Sequence, residues 1–270
     1  MINIALPKVK TIGSYAFGKC SVLQSIVIPD SVKYIGKYAF AYSPSLRSVT
    51  IGENVASLGD DSFYGCSSLK SIVWNAKRCS DIESNYNEPF HNIRSQITSF
   101  IIGDKVEYIP RNLCYNMSKL TSITIPTSIT SIGNEAFSES GVEKVMLPKG
   151  TERIGDRAFY ACQSLEMVSF PATVERIGAW AFEDTVNLKQ VNFPEKAEDS
   201  LEILDSAFCN SGMEEVLLPE NTVYIGQMAF AQCSNCAKIV VPDTVEKIGG
   251  EAFEYCDNAQ IHLPEGMSAE

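Results

Sequence analysis

One short phrase, repeated along the whole chain, constrains the fold more than any other feature. The stretch SVKYIGKYAF at residues 31–40 recurs with small changes, and each copy ends at a marker residue. The eleven markers are Phe17, Phe40, Phe63, Phe90, Leu113, Phe137, Phe159, Phe182, Phe208, Phe230 and Phe253. They follow one another at intervals of 22 to 27 residues. Self-similarity at such a period is the signature of stacked repeats, so the sequence predicts a single solenoid over residues 1–270.

Each copy has two halves with different hydrophobic periods. The first half, such as LQSIVIP at 23–29, alternates apolar and polar residues and predicts a short strand. In the second half, Val32, Ile35, Ala39 and Phe40 follow the spacing of one helical face, with Gly36 permitting a tight bend. The pattern therefore predicts a right-handed α/β repeat solenoid with coils of about 23 residues. A parallel sheet of roughly 50 Å would line its concave side, and short helical or 3-10 turns its convex side.

Two segments depart from the pattern. The copy at 75–94 lacks the Ile-Gly pair and has the longest interval between markers, so we expect an irregular loop there. The second segment is an acidic insertion at 194–203. Surface insertions are tolerated in solenoids, but both segments are also places where this chain differs from a plain stack.

The repeat L-x-x-I-x-I-P-x-x-V-x-x-I-G-x-x-A-F-x-x-C, seen as LQSIVIPDSVKYIGKYAFAYS, resembles the BspA-type leucine-rich repeat, also known from Treponema. The resemblance covers the chain from about Met1 to Pro264. It implies a curved or gently twisted solenoid of bacterial or protist surface proteins. Some of these proteins bind host matrix or plasma proteins such as fibronectin and fibrinogen.

Charge and hydropathy exclude several classes of partner. With 33 acidic and 22 basic residues the chain carries a net charge of -11, which repels nucleic acid and anionic membrane surfaces. No run of 18 apolar residues is present, so we expect no direct membrane insertion. The stretch MINIALPKVK also lacks the long apolar core of a signal peptide. An extracellular or cell-surface location follows from the resemblance alone.

The nine cysteines do not look like a disulfide framework. Five of them lie three residues after a marker, in a column otherwise occupied mostly by small polar residues, and this indicates buried fillers. These five are Cys20, Cys66, Cys162, Cys233 and Cys256. The last two lie in adjacent coils, so a bridge between them stays open as an alternative.

No residues form a recognisable catalytic or metal-binding pattern. The only histidines, His91 and His262, lie in distant coils, and this argues against zinc. No nucleophile elbow, phosphate loop or zinc-protease motif occurs. A calcium site at 195–202 matches no known loop spacing, so a solvated charge run is favoured there. The sequence thus predicts no enzyme, no metal site and no cofactor, although a catalytic base at His91 remains a third hypothesis.

The outward positions of the strands form the candidate protein-binding face. Two residues before the closing Pro or Gly of each strand stand Val27, Thr50, Val73, Ile101, Thr124, Met146, Ser169, Asn192, Leu217 and Val240. Exposed apolar strips of this kind mark protein contacts. The alternative is that β-branched residues simply suit strands.

Two functions from different classes follow. The first is a surface or secreted module that binds another protein, with host matrix proteins among the candidate partners. The second is a spacer or scaffold, because the chain opens and closes mid-coil without recognisable caps. Such ends suggest end-to-end self-association or a fragment of a longer protein.

Overall fold

The chain forms a parallel β-solenoid in which most coils contribute short strands to two columns. The computed structural model describes residue 6 and residues 8–82, 88–194 and 199–266. The acidic stretch at 195–198 and the middle of the irregular copy, at 83–87, lie outside these residues. Strands are numbered β1 to β20 in chain order.

The first strand column comes from the predicted strand half of each copy. It comprises β2 (Ser25–Val27), β4 (Ser48–Ile51), β6 (Ser71–Trp74), β7 (Ser99–Ile102), β10 (Lys144–Met146), β12 (Met167–Ser169), β14 (Gln190–Asn192), β16 (Glu215–Leu217), β18 (Lys238–Val240) and β20 (Gln260–His262). The strands pair in parallel as β2-β4-β6-β7, β10-β12-β14 and β16-β18-β20. The predicted continuous sheet is therefore divided into three. Residues 121–125 form no strand between β7 and β10, and β14 and β16 belong to separate sheets.

A second strand column occupies the place where the sequence predicted helical turns. It comprises β1 (Thr11–Ile12), β3 (Tyr34–Ile35), β5 (Ser57–Leu58), β8 (Tyr108–Ile109), β9 (Ser131–Ile132), β11 (Arg153–Ile154), β13 (Arg176–Ile177), β15 (Leu201–Ile203), β17 (Thr222–Ile225) and β19 (Lys247–Ile248). These strands form a three-stranded and a seven-stranded parallel sheet. The isoleucine of each Ile-Gly pair thus belongs to a strand, which brings it into register with the apolar residue of the next coil, as in Ile35↔Leu58 and Ile154↔Ile177.

The segment around each marker is a run of β-turns, so the predicted helical convex side is wrong. In the copy ending at Phe40, Ala39 N–H and Ala41 N–H close local turns onto Gly36 and Tyr38 carbonyls at 3.2 and 3.1 Å. The N–H group between these two, that of Phe40, points to the next coil instead and donates to the Ser62 carbonyl at 2.8 Å. Positive φ angles two residues before and after the marker, such as 55° at Tyr38, produce this alternation. A helix, whose φ is negative throughout, would keep every N–H within its own segment.

In the described part of the chain the sole helix is a 3-10 helix at His91–Gln96, within the irregular copy. That copy is tied to the preceding coil. Asn92 Oδ1 accepts the Gly65 N–H at 3.0 Å, and Gln96 Nε2 donates to the Cys66 carbonyl at 2.8 Å. The described residues of this copy are thus held by the preceding coil, and the irregular loop expected at 75–94 falls partly on residues 83–87, outside the described ranges.

The markers form the centre of the core. Phe17, Phe40, Phe63 and Phe90 stack ring on ring at 5.2 to 5.3 Å between centroids. A second stack runs from Phe137 to Phe253 through Phe159, Phe182, Phe208 and Phe230, at 5.1 to 5.9 Å. Each ring except those at the ends covers both neighbours, so no coil can bury its aromatic side chain alone.

One marker was assigned wrongly by one residue. Cys114 N–H, not that of Leu113, donates to the Ala136 carbonyl at 2.7 Å, as Phe137 N–H does to the Ala158 carbonyl at 2.8 Å. Leu113 therefore occupies the alanine position and Cys114 the phenylalanine position. This register also places Ile109 opposite Ile132. A cysteine at this point separates the two phenylalanine stacks.

Candidate protein-binding face

The first four strands of the first column display the predicted outward residues in register. Val27 pairs with Thr50, Thr50 with Val73, and Val73 with Ile101. The neighbouring residues, such as Ile26 and Val49, are 1% exposed and belong to the core. Because side chains alternate across a strand, burial of these residues forces the intervening ones outward. Val27 is 52% exposed and Ile101 54%.

A row of serines runs beside this row. Ser25, Ser48, Ser71 and Ser99 are in register with one another and half-buried. We call these four serines together with Val27, Thr50, Val73 and Ile101 the uncharged face. Eight side chains without a formal charge lie here on a chain of net charge -11. Charged residues are depleted at the centres of protein interfaces, so this composition is suited to burial by a partner.

Charges along one edge of the uncharged face are paired with one another. Beyond the strand ends, Glu53 accepts Lys77 Nζ and Lys105 Nζ, both at 2.7 Å. Hydrogen bonds from Lys105 and Lys77 lower the pKa of the Glu53 carboxyl. Asp30 Oδ1 also accepts the Glu53 N–H at 2.8 Å. The charges thus form a polar rim along one edge, an arrangement typical of protein contact surfaces.

The remaining predicted residues lie on separate segments of the first column. Met146, Ser169 and Asn192 are in register on β10, β12 and β14. Leu217 and Val240 are in register on β16 and β18. Thr124 is exposed but belongs to no strand. The structure therefore brings nine of the ten residues into three in-register groups, and only the first group lacks charged neighbours in its adjacent row.

The second and third groups have mixed charges beside them. Lys144 lies in register with Met167 and Gln190, and Glu215 with Lys238. An open groove of about 680 Å³ runs along β10 to β14. Its lining residues are Glu143, Lys144, Gln163, Ser164, Glu166, Met167, Asn187, Lys189 and Gln190. This part of the surface suits a polar rather than an apolar contact.

Two surface features were missed by sequence reasoning. Tyr15 stacks on Tyr38 at 5.1 Å and is 62% exposed, on the turn segments of the first coils. On the second column, Arg153 and Arg176 lie side by side in register within an open groove of about 750 Å³. Tyrosine at the second residue before the marker, and arginine before Ile-Gly, were visible signals. These signals were not recognised because the expected helical turns did not place the tyrosines, or the arginines, of successive coils on a common face.

The column three residues after each marker acts as a set of hydrogen-bond donors. Cys66, Cys162, Cys233 and Cys256 each donate Sγ–H to the carbonyl of the preceding coil's marker at 3.0 to 3.3 Å. Ser43 makes the same bond to the Phe17 carbonyl at 3.0 Å. Burial raises the pKa of the Cys66 and Cys162 thiols to about 11. All nine cysteines are free thiols in this structure.

The metal-site and catalytic hypotheses find no supporting arrangement among the residues described. Among the residues described, no three His, Cys, Asp or Glu side chains are placed to hold a metal ion. His91 Nδ1 lies 3.8 Å from Glu88, whose carboxylate pairs with Arg94. His91 thus belongs to a charged cluster that anchors the 3-10 helix. Within the described ranges, no helix has the length and apolar character that crossing a bilayer requires.

The solved structure that matches at a TM-score above 0.5 agrees with this architecture. A leucine-rich repeat protein from Bacteroides ovatus ATCC 8483 is 24% identical, with 99% of this chain and 82% of that chain covered at a TM-score of 0.60. The T. pallidum leucine-rich repeat protein is 22% identical, covering 84% and 82%, at 0.48. A leucine-rich cell surface protein from Faecalibacterium prausnitzii A2-165 is 22% identical, covering 96% and 84%, at 0.43.

The sequence comparison identifies the repeat itself. No curated protein matches the chain. The profile of the BspA type leucine-rich repeat region matches six copies, over residues 1–95, 83–201 and 201–269, and no enzyme family is indicated. The matched ranges include nearly all the coils that stack in the structure. The chain therefore belongs to the BspA-type leucine-rich repeat family.

Proposed function

We propose that the chain is a protein-binding module of a secreted or cell-surface protein, and that it binds through the uncharged face. The more specific form of the proposal is an adhesin that contacts a host matrix or plasma protein. Family resemblance supports the location and the class of partner. The uncharged face supports the place of contact.

The observation that carries the proposal is the in-register uncharged face on β2, β4, β6 and β7. Its residues are fixed by backbone pairing, so a partner meets a surface that needs little ordering on binding. Exposed Val27 and Ile101 supply apolar contacts, and the serine row supplies hydrogen-bond donors and acceptors. The paired charges of the Glu53 rim leave few unsatisfied ions to bury. These features suit a partner that presents an apolar or neutral segment.

The test begins with a binding screen of the purified chain against extracellular-matrix and plasma proteins, with light scattering on the same sample. For any saturable hit, Ile101→Lys should weaken binding at least about tenfold, or ~1.4 kcal/mol, because a buried lysine loses hydration without a partner charge. The matched control is Val22→Lys. Val22 is 62% exposed and lies outside both strand columns, so this variant adds the same charge elsewhere.

The outcomes separate the candidate functions. Equal loss in both variants would reflect net charge alone and contradict the assignment of the face. If the assemblies seen by light scattering grow with protein concentration, none of the screened proteins binds and Ile101→Lys changes nothing, the chain is a self-associating scaffold. A monomeric chain that binds nothing would point to a spacer role. Either of the last two results would overturn the adhesin proposal.

A further inference from the structure

The donor column contains two cysteines in adjacent coils, at Cys233 and Cys256. We propose that these two residues form a disulfide when the chain meets an oxidising thiol–disulfide environment. The bridge would join two successive coils, and it differs from the filler role of the other column cysteines. This modification is independent of the binding face proposed above.

The backbone holds the two residues at the same height of adjacent coils. Phe230 N–H donates to the Ala252 carbonyl at 2.8 Å, and Gln232 N–H to the Glu254 carbonyl at 2.7 Å. These bonds lie just before the pair in each coil and fix its register. Neighbouring chains in such a ladder lie about 4.8 Å apart, and disulfides join Cα atoms separated by about 4.4 to 6.8 Å. A Cα separation of about 4.8 Å therefore falls within the range that a disulfide spans.

Other adjacent members of the column show how closely the side chains approach. Ser140 Oγ lies 3.4 Å from Cys162 Sγ, and Ser211 Oγ lies 3.3 Å from Cys233 Sγ. Cys256 follows Cys233 in the same column. With sulfur in both positions, this arrangement brings two thiols into contact.

The two thiols also point along the stack in the same sense. Cys233 Sγ donates to the Phe208 carbonyl at 3.3 Å, and Cys256 Sγ donates to the Phe230 carbonyl at 3.1 Å. Each sulfur is thus directed toward the preceding coil. For Cys256 that coil is the one that carries Cys233, so its sulfur is already aimed at its partner.

Cys256 is the more reactive thiol of the pair. Once Cys256 is a thiolate, the Cys233 S–H donates to its sulfur, and this hydrogen bond lowers the pKa of the Cys256 thiol. The same bond, together with burial, raises the pKa of the Cys233 thiol. Cys256 is also 6% exposed, whereas Cys233 is fully buried. Because the thiolate is the attacking species, Cys256 is the residue that reacts first with an external disulfide.

The reaction is a pair of thiol–disulfide exchanges. The Cys256 thiolate attacks one sulfur of oxidised glutathione, forming a mixed disulfide and releasing one glutathione thiolate. The Cys233 sulfur then attacks the Cys256 sulfur, loses its proton to solvent and expels the second glutathione thiolate. The two cysteines lose two electrons and two protons in total, and oxidised glutathione takes up the electrons.

The bridge removes the thiol donors of the Phe208 and Phe230 carbonyls. The Phe208 carbonyl also accepts the Ser211 N–H at 3.2 Å, so it keeps a partner when the Cys233 thiol no longer donates. Closing the loop between two coils restricts the unfolded chain, and the oxidised protein should therefore melt at a higher temperature than the reduced one.

The test uses the whole chain, incubated with oxidised glutathione, then denatured and titrated for free thiols. The reduced protein should give nine thiols, and the oxidised protein two fewer. Cys233→Ser and Cys256→Ser should each prevent the bridge. Serine occupies the same column at Ser43, Ser140 and Ser211, so these variants keep the donor and the fold.

Two further variants identify the pairing. Trypsin leaves three cysteines, Cys209, Cys233 and Cys236, on one peptide between Lys196 and Lys238. Peptide mapping therefore cannot tell which of the three is bridged, and substitution has to do so. Cys209→Ser and Cys236→Ser should still lose two thiols on oxidation. Retention of all nine thiols in the wild-type protein would overturn the proposal. So would a bridge that survives in Cys233→Ser, or one that is abolished in Cys236→Ser.

Discussion

Replacing the glycine of one Ile-Gly pair tests the close stacking of the coils. A Cβ at Gly178 would lie 2.6 Å from the backbone nitrogen of Asp156 in the preceding coil. Ordinary contacts of a Cβ begin near 3.4 Å, so the two coils would have to separate by most of an ångström. Neither backbone can yield easily, because Gly178 N–H also donates to the Ile154 carbonyl at 2.9 Å. Overpacking of this kind costs about 1 to 3 kcal/mol.

The matched control is Gly13→Ala. Gly13 holds the same position in an earlier copy, but a Cβ at Gly13 would have nothing within 4 Å. Gly13→Ala should be neutral or stabilise by up to about 1 kcal/mol, because alanine restricts the unfolded chain. Thermal melts followed by circular dichroism should show Gly178→Ala lowered by roughly 2 to 12 °C. Equal melting temperatures for the two variants would refute the argument that interleaved backbones require glycine.

The sequence analysis singled out Gly36 as a position that needs glycine, but it gave a tight bend as the reason. A Cβ at Gly36 would meet the Ser14 nitrogen at 2.6 Å, so the conflict is with the neighbouring coil rather than within the bend. Sequence alone cannot show this, because the partner atoms lie a full repeat away. Ile-Gly pairs that repeat at a fixed period do, however, indicate that each glycine lies against the same position of a neighbouring coil.

The strand register and the outward residues were predictable because alternation in a strand has only two phases. The second column was not. Val32 and Ile35 are spaced like a helical face, yet Tyr38 adopts a φ of 55° and interrupts any helix. Tyrosine gives no warning of positive φ, which glycine or asparagine would have given. The same limit explains the error at Leu113, since only the hydrogen bond from Cys114 N–H reveals which residue is in register.

Two further predictions concern stability. Phe182→Ala should destabilise the chain by about 3 to 5 kcal/mol in urea denaturation, because the ring stacks at 5.1 Å on both neighbours; a loss below about 1 kcal/mol would contradict a core built on the stack. Glu53→Gln should lower the melting temperature at pH 7 and leave it unchanged at low pH. Lys105 and Lys77 depress the pKa of the Glu53 carboxyl, so its contribution is present above the unfolded-state pKa and is lost as pH falls through the folded-state value. A difference from wild type that persists in acid would refute this linkage.

The most direct test of the proposed binding face is a thiol-labelling footprint on the bound complex. Val27→Cys places a reactive thiol on the uncharged face, and Val22→Cys places one outside it. Burial slows eight of the nine native thiols, and the half-buried Cys20 is common to both variants. Both variants should label rapidly when free. With the partner from the binding screen present, Val27→Cys should be protected and Val22→Cys should label as before. Protection of Val22→Cys with Val27→Cys unaffected would contradict binding through this face.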